Sequence, residues 1–527
     1  MTAAGPGTTV AATSPAATKA PADAAAGRRP ASALRLLDDA LVDRILGEAF
    51  AILETTGAKV QSAEGRRLLA EAGATVDHDT EVARLPEAMV RGALATVPRE
   101  FFLCGRAGAP AVRYGGDDVH FDPGSAAVHV LDPDSGAHRP GTTDDFVRLL
   151  TIAEVLPEFD AQSTALVCSD VPAAIADLYR LYLVLTHSEK PIVTGAFGLP
   201  TLGLMLEMIE AAGVEGAAGP AVAGGAVSAA ARGPRLRAVF DVCPSPPLIW
   251  SAFGTGSLIR LARAGVPAQM VSMPLAGATA PATLAGSVVQ HAAECLSGIA
   301  IHQAAKPGAP IVWGGAPAIF DMRHGTTPMG AMETAMIDAA YAQVGKHLGL
   351  PTHAYLGASD AKSIDAQAGM ESGMTALVGA MAGINMISGA GMLDFLACQS
   401  VEKLVLDAEG IAMVRRLLAG IRPRGDSLAA ELLAMTGHHG NFLELKHTRQ
   451  WFKAEQHLPS AVIDRGSVRV WEEAGRPDAA ARCRRRAADL IAGWQPRPPS
   501  AEAAKELRRM VEGAASKAGM QALPAVR

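Results

Sequence analysis

The chain has 527 residues, 49% of them hydrophobic and 19% charged, with a formal net charge of −6. That length exceeds one average domain, although a single barrel with additions absorbs most of it, and the apolar share supplies a large core. The negative balance gives no general attraction to polyanions, and the densest basic run, Arg482 to Arg486 interrupted by Cys483, reads as a solvated helix face, so nucleic acid is not an expected partner.

Residues 1–33 are rich in Ala, Thr and Pro and lack the uninterrupted apolar stretch of a secretory signal, which predicts a disordered tail. The Arg28–Arg29 pair is followed by Pro30 and soon by Asp38–Asp39, against twin-arginine export. Residues 34–110 predict an N-terminal helical layer: "ALVDRILGEAFAILETTG" has apolar residues at helical spacing and stops at Gly57, and "AEGRRLLAEAGATVD" repeats the pattern.

From residue 111 to 400 the pattern becomes short apolar strands separated by helix-length segments. Eight strands are expected, at 127–132, 160–168, 191–197, 239–250, 267–275, 310–317, 351–357 and 384–391. The repeated strand–helix units match an α/β fold, a TIM (β/α)8 barrel. No GxGxxG turn follows the first strand, which weakens an open dinucleotide-binding sheet. Residues 373–393 carry no charge over a length that could cross a bilayer, but Gly383-Ile384-Asn385 and later glycines break them into a buried helix and a short buried strand, so no membrane is expected. Residues 401–527 return to helices, a C-terminal extension packed on the barrel. The six cysteines are scattered without a CxxC pair, which predicts buried free thiols and a cytoplasmic location.

Residues just after each barrel strand converge on one mouth, so polar groups there are site candidates. After strand seven, "SDAKSIDAQAGME" places Asp360, Lys362, Asp365, Gln367 and Glu371 together; Asp365 could equally cap the next helix. After strand six, Asp321 and Arg323 flank Met322, a site pair or a loop-stiffening ion pair, and Glu333 is a site candidate or a helix-start carboxylate. After strand five, "SMPLAGATAPATLAG" offers small residues that suit the close approach of a large flat partner or tight helix packing. The aromatics Phe197, Trp250, Phe253, Trp313, Phe320 and Tyr355 fall at or past strand ends, where a ring face attracts quaternary ammonium, or fill the core. His302, His324, His353, His438, His439 and His447 form no ligand spacing, so no protein-bound metal is expected.

In order along the chain, "ILETTGAKV", "GRAGAPAVRYGGDDVHF", "LAGATAPATLAGSVVQHAAECLSGI", "KPGAPIVWG", "FDMRHG", "DAKSIDAQAGME", "SVEKLVLDAEG" and "NFLELKHTRQWFKAE" resemble the trimethylamine methyltransferase superfamily, in particular its non-pyrrolysine branch of glycine betaine corrinoid methyltransferases. The resemblance implies a TIM barrel that moves a methyl group from a methylated amine to the Co(I) of a separate corrinoid protein. The chain is written wholly in the twenty standard residues. A quaternary ammonium leaves as a neutral amine, whereas an uncharged tertiary amine would leave as an amide-like anion, so a betaine-like donor is expected over trimethylamine.

On that basis Asp360, Gln367 and Glu371 are expected to be catalytic. Trp250, Phe253, Trp313, Phe320, Tyr355, Arg323 and Lys362 are expected to bind substrate, with Arg323, Lys362 or a nearby histidine holding a betaine carboxylate. Gly277, Thr279, Gly314, Gly315, Asp321 and Asp365 are expected to face the corrinoid. Direct methyl transfer to tetrahydrofolate and non-catalytic betaine binding are the alternative readings, and the oligomeric state is open.

Overall fold

The computed structural model describes residues 34–213, 235–424 and 427–526; the expected tail at 1–33 lies outside the described residues. Eight strands form one parallel sheet curled into a barrel: β1 His120–Pro123, β2 Gln162–Ser163, β3 Ile192–Gly195, β4 Ala238–Val242, β5 Ala268–Met270, β6 Ile311–Gly315, β7 Thr352–Ala354 and β8 Met386–Ala390. The ladder runs β1-β8-β7-β6-β5-β4-β3-β2. The remaining seam, between β1 and β2, is bridged by the Asp160 amide on the Phe121 carbonyl at 2.9 Å and by Ser163 Oγ on the Gly124 carbonyl at 3.0 Å.

Each strand is followed by a helix: α4 Thr143–Val155, α5 Ala176–His187, α6 Leu199–Ala212, α7 Ala252–Ala264, α8 Leu284–Ala305, α9 Met332–His347, α10 Ala366–Met381 and α11 Val401–Leu418. Local chemistry sets their ends. Thr142 caps α4, and Asp145 returns a carboxylate oxygen to the Thr142 amide at 2.9 Å, a reciprocal capping box. Gly265 ends α7 in the left-handed region at φ 70, where a side chain would be strained. Helix α8 is long and apolar enough to cross a membrane, yet it packs against α7, α9 and the N-terminal helices α1 Asp39–Thr55, α2 Ala63–Glu71 and α3 Glu87–Thr96. Its apolar character on all sides is that of a helix enclosed by protein.

Seven of the eight expected strands coincide with barrel strands. The first does not. Residues 129–131 pair with Cys398–Gln399 and with His138–Pro140 in a small separate sheet, while β1 is "HFDP", which starts nine residues earlier. The true strand hides because His120, Asp122 and Pro123 interrupt its apolar run, and Asp122 is nonetheless fully buried. The charge-free stretch 373–393 does split as expected, into the end of α10, Gly383 at φ 69, and β8.

Before the barrel, α1 buries Val42, Ile45, Leu46, Ala49, Phe50 and Leu53, the 3–4 spacing of one apolar face. A hairpin of Phe101–Cys104 with Pro110–Tyr114 then corks the barrel end opposite the mouth. The Phe101 and Tyr114 rings stack at 4.8 Å, in a layer with Val193, Val239, Val312 and Met386 from β3, β4, β6 and β8. After the barrel, helix Ala479–Gly493 packs on α4 and α11, and helix Ala501–Lys517 packs on α5 and α6.

Candidate active site at the barrel mouth

The strand ends carry two tiers of inward polar side chains. In the deeper tier, His353 of β7 contacts Ser388 Oγ of β8 through Nε2 at 3.0 Å, and the Ser388 hydroxyl donates to Asp122 Oδ1 of β1 at 2.5 Å. That order makes Nε2 the protonated nitrogen of a neutral ring. Burial agrees, pushing His353 down to about 3 and Asp122 well above the carboxylate range.

In the upper tier, Tyr355 Oη donates to Asp241 Oδ2 at 2.9 Å and Gln269 Nε2 donates to Asp241 Oδ1 at 2.7 Å. Tyr114 Oη, rising from the cork, holds Gln269 Oε1 at 3.0 Å. Asp241 therefore sits at the end of β4 with each oxygen fixed by a neutral donor. Burial raises it from 3.8 to about 6, against the pull of Tyr355, Gln269 and the Arg180 charge. Two residues on, Cys243 is exposed at the mouth, unlike the five other, buried cysteines; the surrounding wall still pushes its thiol up to about 12.

Arg180 of α5 reaches to the ends of β2 and β3, donating from Nη1 to the Thr164 carbonyl at 2.7 Å and from Nη2 to the Gly195 carbonyl at 3.3 Å. The Phe197 ring lies 4.5 Å over its guanidinium carbon. Arg180 is 1% exposed, its Nε has no partner, and among the described residues no carboxylate forms an ion pair with it. Burial lowers it to about 10, so it remains a cation.

The residues singled out after strand seven are brought together, but largely as stitching between loops. Asp360 accepts from the Met329 and Gly330 amides at 2.8 and 3.0 Å, joining this loop to the one after β6. Glu371 accepts from Ser359 Oγ at 2.6 Å, the Asp360 amide at 2.8 Å and Gln367 Nε2 at 2.8 Å. Asp365 caps α10 through the Ala368 amide, the plainer of its two readings. Burial raises Asp360 to about 6.

Four expectations are corrected by burial. Trp250 is fully buried, its Nε1 on Ser297 Oγ at 2.9 Å, and Trp313 is fully buried with Nε1 on the Tyr341 carbonyl at 3.0 Å, so both rings are wedged between barrel and helices and offer no face to a ligand. Gly314 and Gly315 are not rim residues either. A Cβ on Gly314 would lie 2.6 Å from the Met270 carbonyl oxygen and 3.0 Å from His353 Nδ1, and one on Gly315 would lie 2.6 Å from His291 Nε2. Their bareness admits neighbours inside the wall, not a partner outside it.

The remaining candidates ring the mouth. Leu275–Ala276 pairs with Ala318–Ile319, which sets the Gly277–Thr279 turn beside the Asp321–Thr326 hairpin. Gly277, at φ 95, would clash with Met322 if it had a side chain, and Thr279 Oγ1 accepts the Leu275 amide. Arg323 is 82% exposed and spends its guanidinium on Asp321, at 2.6 Å. Lys362 bonds the Asp360 carbonyl at 2.6 Å and lies 3.8 Å over the Phe395 ring. Both cations stand on the rim, Arg323 tied to its own loop and Lys362 also to the loop after β8, where Asp394 lies 3.4 Å away. Phe197, Phe253, Met273 and Met322 are exposed there, Phe320 is half-buried, and Tyr355 is buried.

The sequence alone did not single out Asp122, Arg180, Asp241, Gln269 or Ser388. The available signal was a lone polar residue in an apolar strand, as in "VFDVC" and "PAQMV", which has no structural reason to be there unless it faces a polar interior. Among the described residues, no three His, Cys, Asp or Glu side chains gather as a metal set.

The model of the trimethylamine methyltransferase (MTTB) family matches residues 7–519. The trimethylamine methyltransferase MttB of Desulfitobacterium hafniense (strain DSM 10664 / DCB-2) is 30% identical over 463 residues, 88% of this chain and 90% of the relative. MttB2 of Methanosarcina mazei is 32% identical over 475 residues, covering 88% and 92%. The glycine betaine methyltransferase of Desulfitobacterium hafniense (strain Y51) is 28% identical over 438 residues, covering 83% and 88%. Among solved structures, the monomethylamine methyltransferase of Methanosarcina barkeri aligns with a TM-score of 0.46 at 12% identity, covering 92% of this chain and 87% of that one. With a family match across nearly its whole length, this chain belongs to the trimethylamine methyltransferase family and is a methyltransferase.

Proposed function

We propose that this protein moves a methyl group from a quaternary amine of the glycine betaine type to the Co(I) of a corrinoid carried by a partner protein. The observation that carries the reading is the upper tier of the mouth, where one carboxylate, Asp241, is held open to the barrel end by Tyr355 and Gln269. A cation is the natural guest of such a carboxylate, and a ring such as Phe197 adds attraction through its quadrupole. The absence of pyrrolysine and the resemblance to a glycine betaine methyltransferase point the same way.

In the proposed step the methyl carbon passes in line to reduced cobalt, the electron pair of the broken C–N bond stays on nitrogen, and the donor leaves as a neutral tertiary amine. The protein's share is to orient the donor and exclude water, effects that supply up to about 7–11 kcal/mol of a barrier. Asp360 and Glu371 act by positioning, since they fasten the loops after β6 and β7 that frame the mouth. Gly277 and Thr279, with Met273 and Met322, form the small and largely apolar rim on which the corrinoid would rest, beside the Asp321 carboxylate. The reaction is assigned to the cytoplasm.

The test is to mix the protein with free cob(I)alamin and offer glycine betaine, tetramethylammonium or trimethylamine, following the visible spectrum. Conversion to methylcobalamin with the betaine but not with trimethylamine is expected. Cobalt unchanged by every onium compound refutes the reading, and betaine demethylated only when tetrahydrofolate replaces cobalt assigns a different acceptor.

A further inference from the structure

Resting on that reading, we infer that Arg180 and Asp241 form a charge couple that selects a zwitterion, Asp241 facing the ammonium end and Arg180 receiving the carboxylate. Neither residue is among the rim cations and loop carboxylates described above.

A buried arginine ordinarily has a carboxylate partner, and losing such a partner is costly; Arg180 feels the charges of Asp177 and Asp241 but has neither within ion-pair distance. Arg180 has two carbonyl contacts, from Thr164 and Gly195, and an unpartnered Nε. A guanidinium carries five N–H donors, so two contacts leave three without a protein acceptor. Those donors have the forked geometry that grips a carboxylate. Phe197, half exposed, stacks over the group and is the cover that must turn aside as the anion arrives.

The second pole stands on the adjacent strand. Gly195, whose carbonyl Arg180 holds, is paired in register with Asp241. Neighbouring strands lie about 4.8 Å apart, so the group bound to the Gly195 carbonyl and the Asp241 carboxylate stand at adjacent strand ends. Gly195 adds no side chain between the poles, and a Cβ there would already touch the Asp241 Cβ at 3.5 Å. Asp241 is in turn pinned by Tyr355 and Gln269, so it keeps its direction when a ligand enters. A ligand with only a positive end would meet Arg180 as a repulsive neighbour, whereas a zwitterion satisfies both.

The couple also predicts how binding and turnover divide. The ammonium loses its charge as the methyl departs, so an anion beside it favours the bound substrate over the transition state. Asp241 is therefore a residue of affinity and selectivity.

Isothermal titration of the purified full-length chain with glycine betaine and with tetramethylammonium tests this without any corrinoid. The unaltered protein should bind the betaine at least tenfold more tightly than tetramethylammonium. Arg180→Gln should weaken the betaine at least tenfold while leaving tetramethylammonium within twofold or tighter, and Arg180→Lys should restore part of the betaine affinity. Asp241→Asn should weaken both ligands at least tenfold. Equal affinity of the unaltered protein for both compounds, or equal loss of both in the Arg180 variants, overturns the couple while leaving the onium site standing. No binding of either compound to the unaltered protein overturns the proposed function itself. The titration of the unaltered protein decides the matter even if a variant fails to fold.

Discussion

Replacing Asp241 by asparagine should make the protein more stable at neutral pH, by an amount that vanishes in acid. In the unfolded chain this carboxyl ionises near 3.8, and in the folded protein near 6, because burial disfavours the charge. Between those values the native state binds more protons than the unfolded one, so stability falls as pH rises. Taking 1.36 kcal/mol per tenfold change in proton affinity, the cost approaches about 3 kcal/mol at pH 7 and is about 1 kcal/mol at pH 4.5. Asparagine escapes that cost but offers only one acceptor to Gln269 and Tyr355, which forfeits about 1 kcal/mol. The net expectation is near parity at pH 4.5 and a gain of about 2 kcal/mol at pH 7. With an unfolding entropy of about 2.1 cal/mol/K per residue, that gain is about 2 °C in Tm for a chain of this size. Differential scanning calorimetry of both proteins at pH 4.5, 5.5, 6.5 and 7.5 checks it. A Tm difference independent of pH, or a variant less stable at pH 7.5 than at 4.5 relative to the parent, would refute the reasoning.

Other perturbations have equally definite outcomes. Gly314→Ala should lose about 1–3 kcal/mol in urea titrations, since its Cβ would press on the Met270 carbonyl and His353; Gly369→Ala on α10, where nothing lies within 4 Å, is the matched control and should be neutral or stabilising. Asp360→Ala strands the Met329 and Gly330 amides and should lower methyl transfer at least about tenfold through loop displacement, with the far-ultraviolet circular dichroism retained. Lys403, whose side chain is wholly buried against Asp407 at 2.7 Å, should cost about 3–5 kcal/mol when changed to Met, and Lys403→Met with Asp407→Asn should recover much of that, because the isolated carboxylate is then gone. Equal destabilisation of the single and double variants would refute the last account.

The barrel was legible from the sequence because its strands after the first are short apolar runs stopped by glycine or proline, and helices of regular period lie between them. β1 was not, since a strand that must bring Asp122 to Ser388 carries the polarity that disguises it. The cluster after strand seven was found because five polar residues stand together. Its main work here is to receive backbone amides, and amides leave no mark in a sequence. Asp241 and Arg180 escaped for the opposite reason: Asp241 is the one polar letter of β4 and Arg180 stands in a largely apolar stretch of α5, and only the curvature of the sheet brings the two to the same place. Trp250 and Trp313 misled because an aromatic at a strand end can point outward to a helix as readily as inward.

The cork at the far end of the barrel has a reach beyond closure. Through Tyr114 and Gln269 it touches the very acid that is proposed to meet the donor, so the segment preceding the first strand sets the aim of a group near the opposite opening. A shortened version starting at the first barrel strand would thus be unstoppered and would also lose the bearing of its key carboxylate, which makes residues 101–114 part of the catalytic apparatus in all but location.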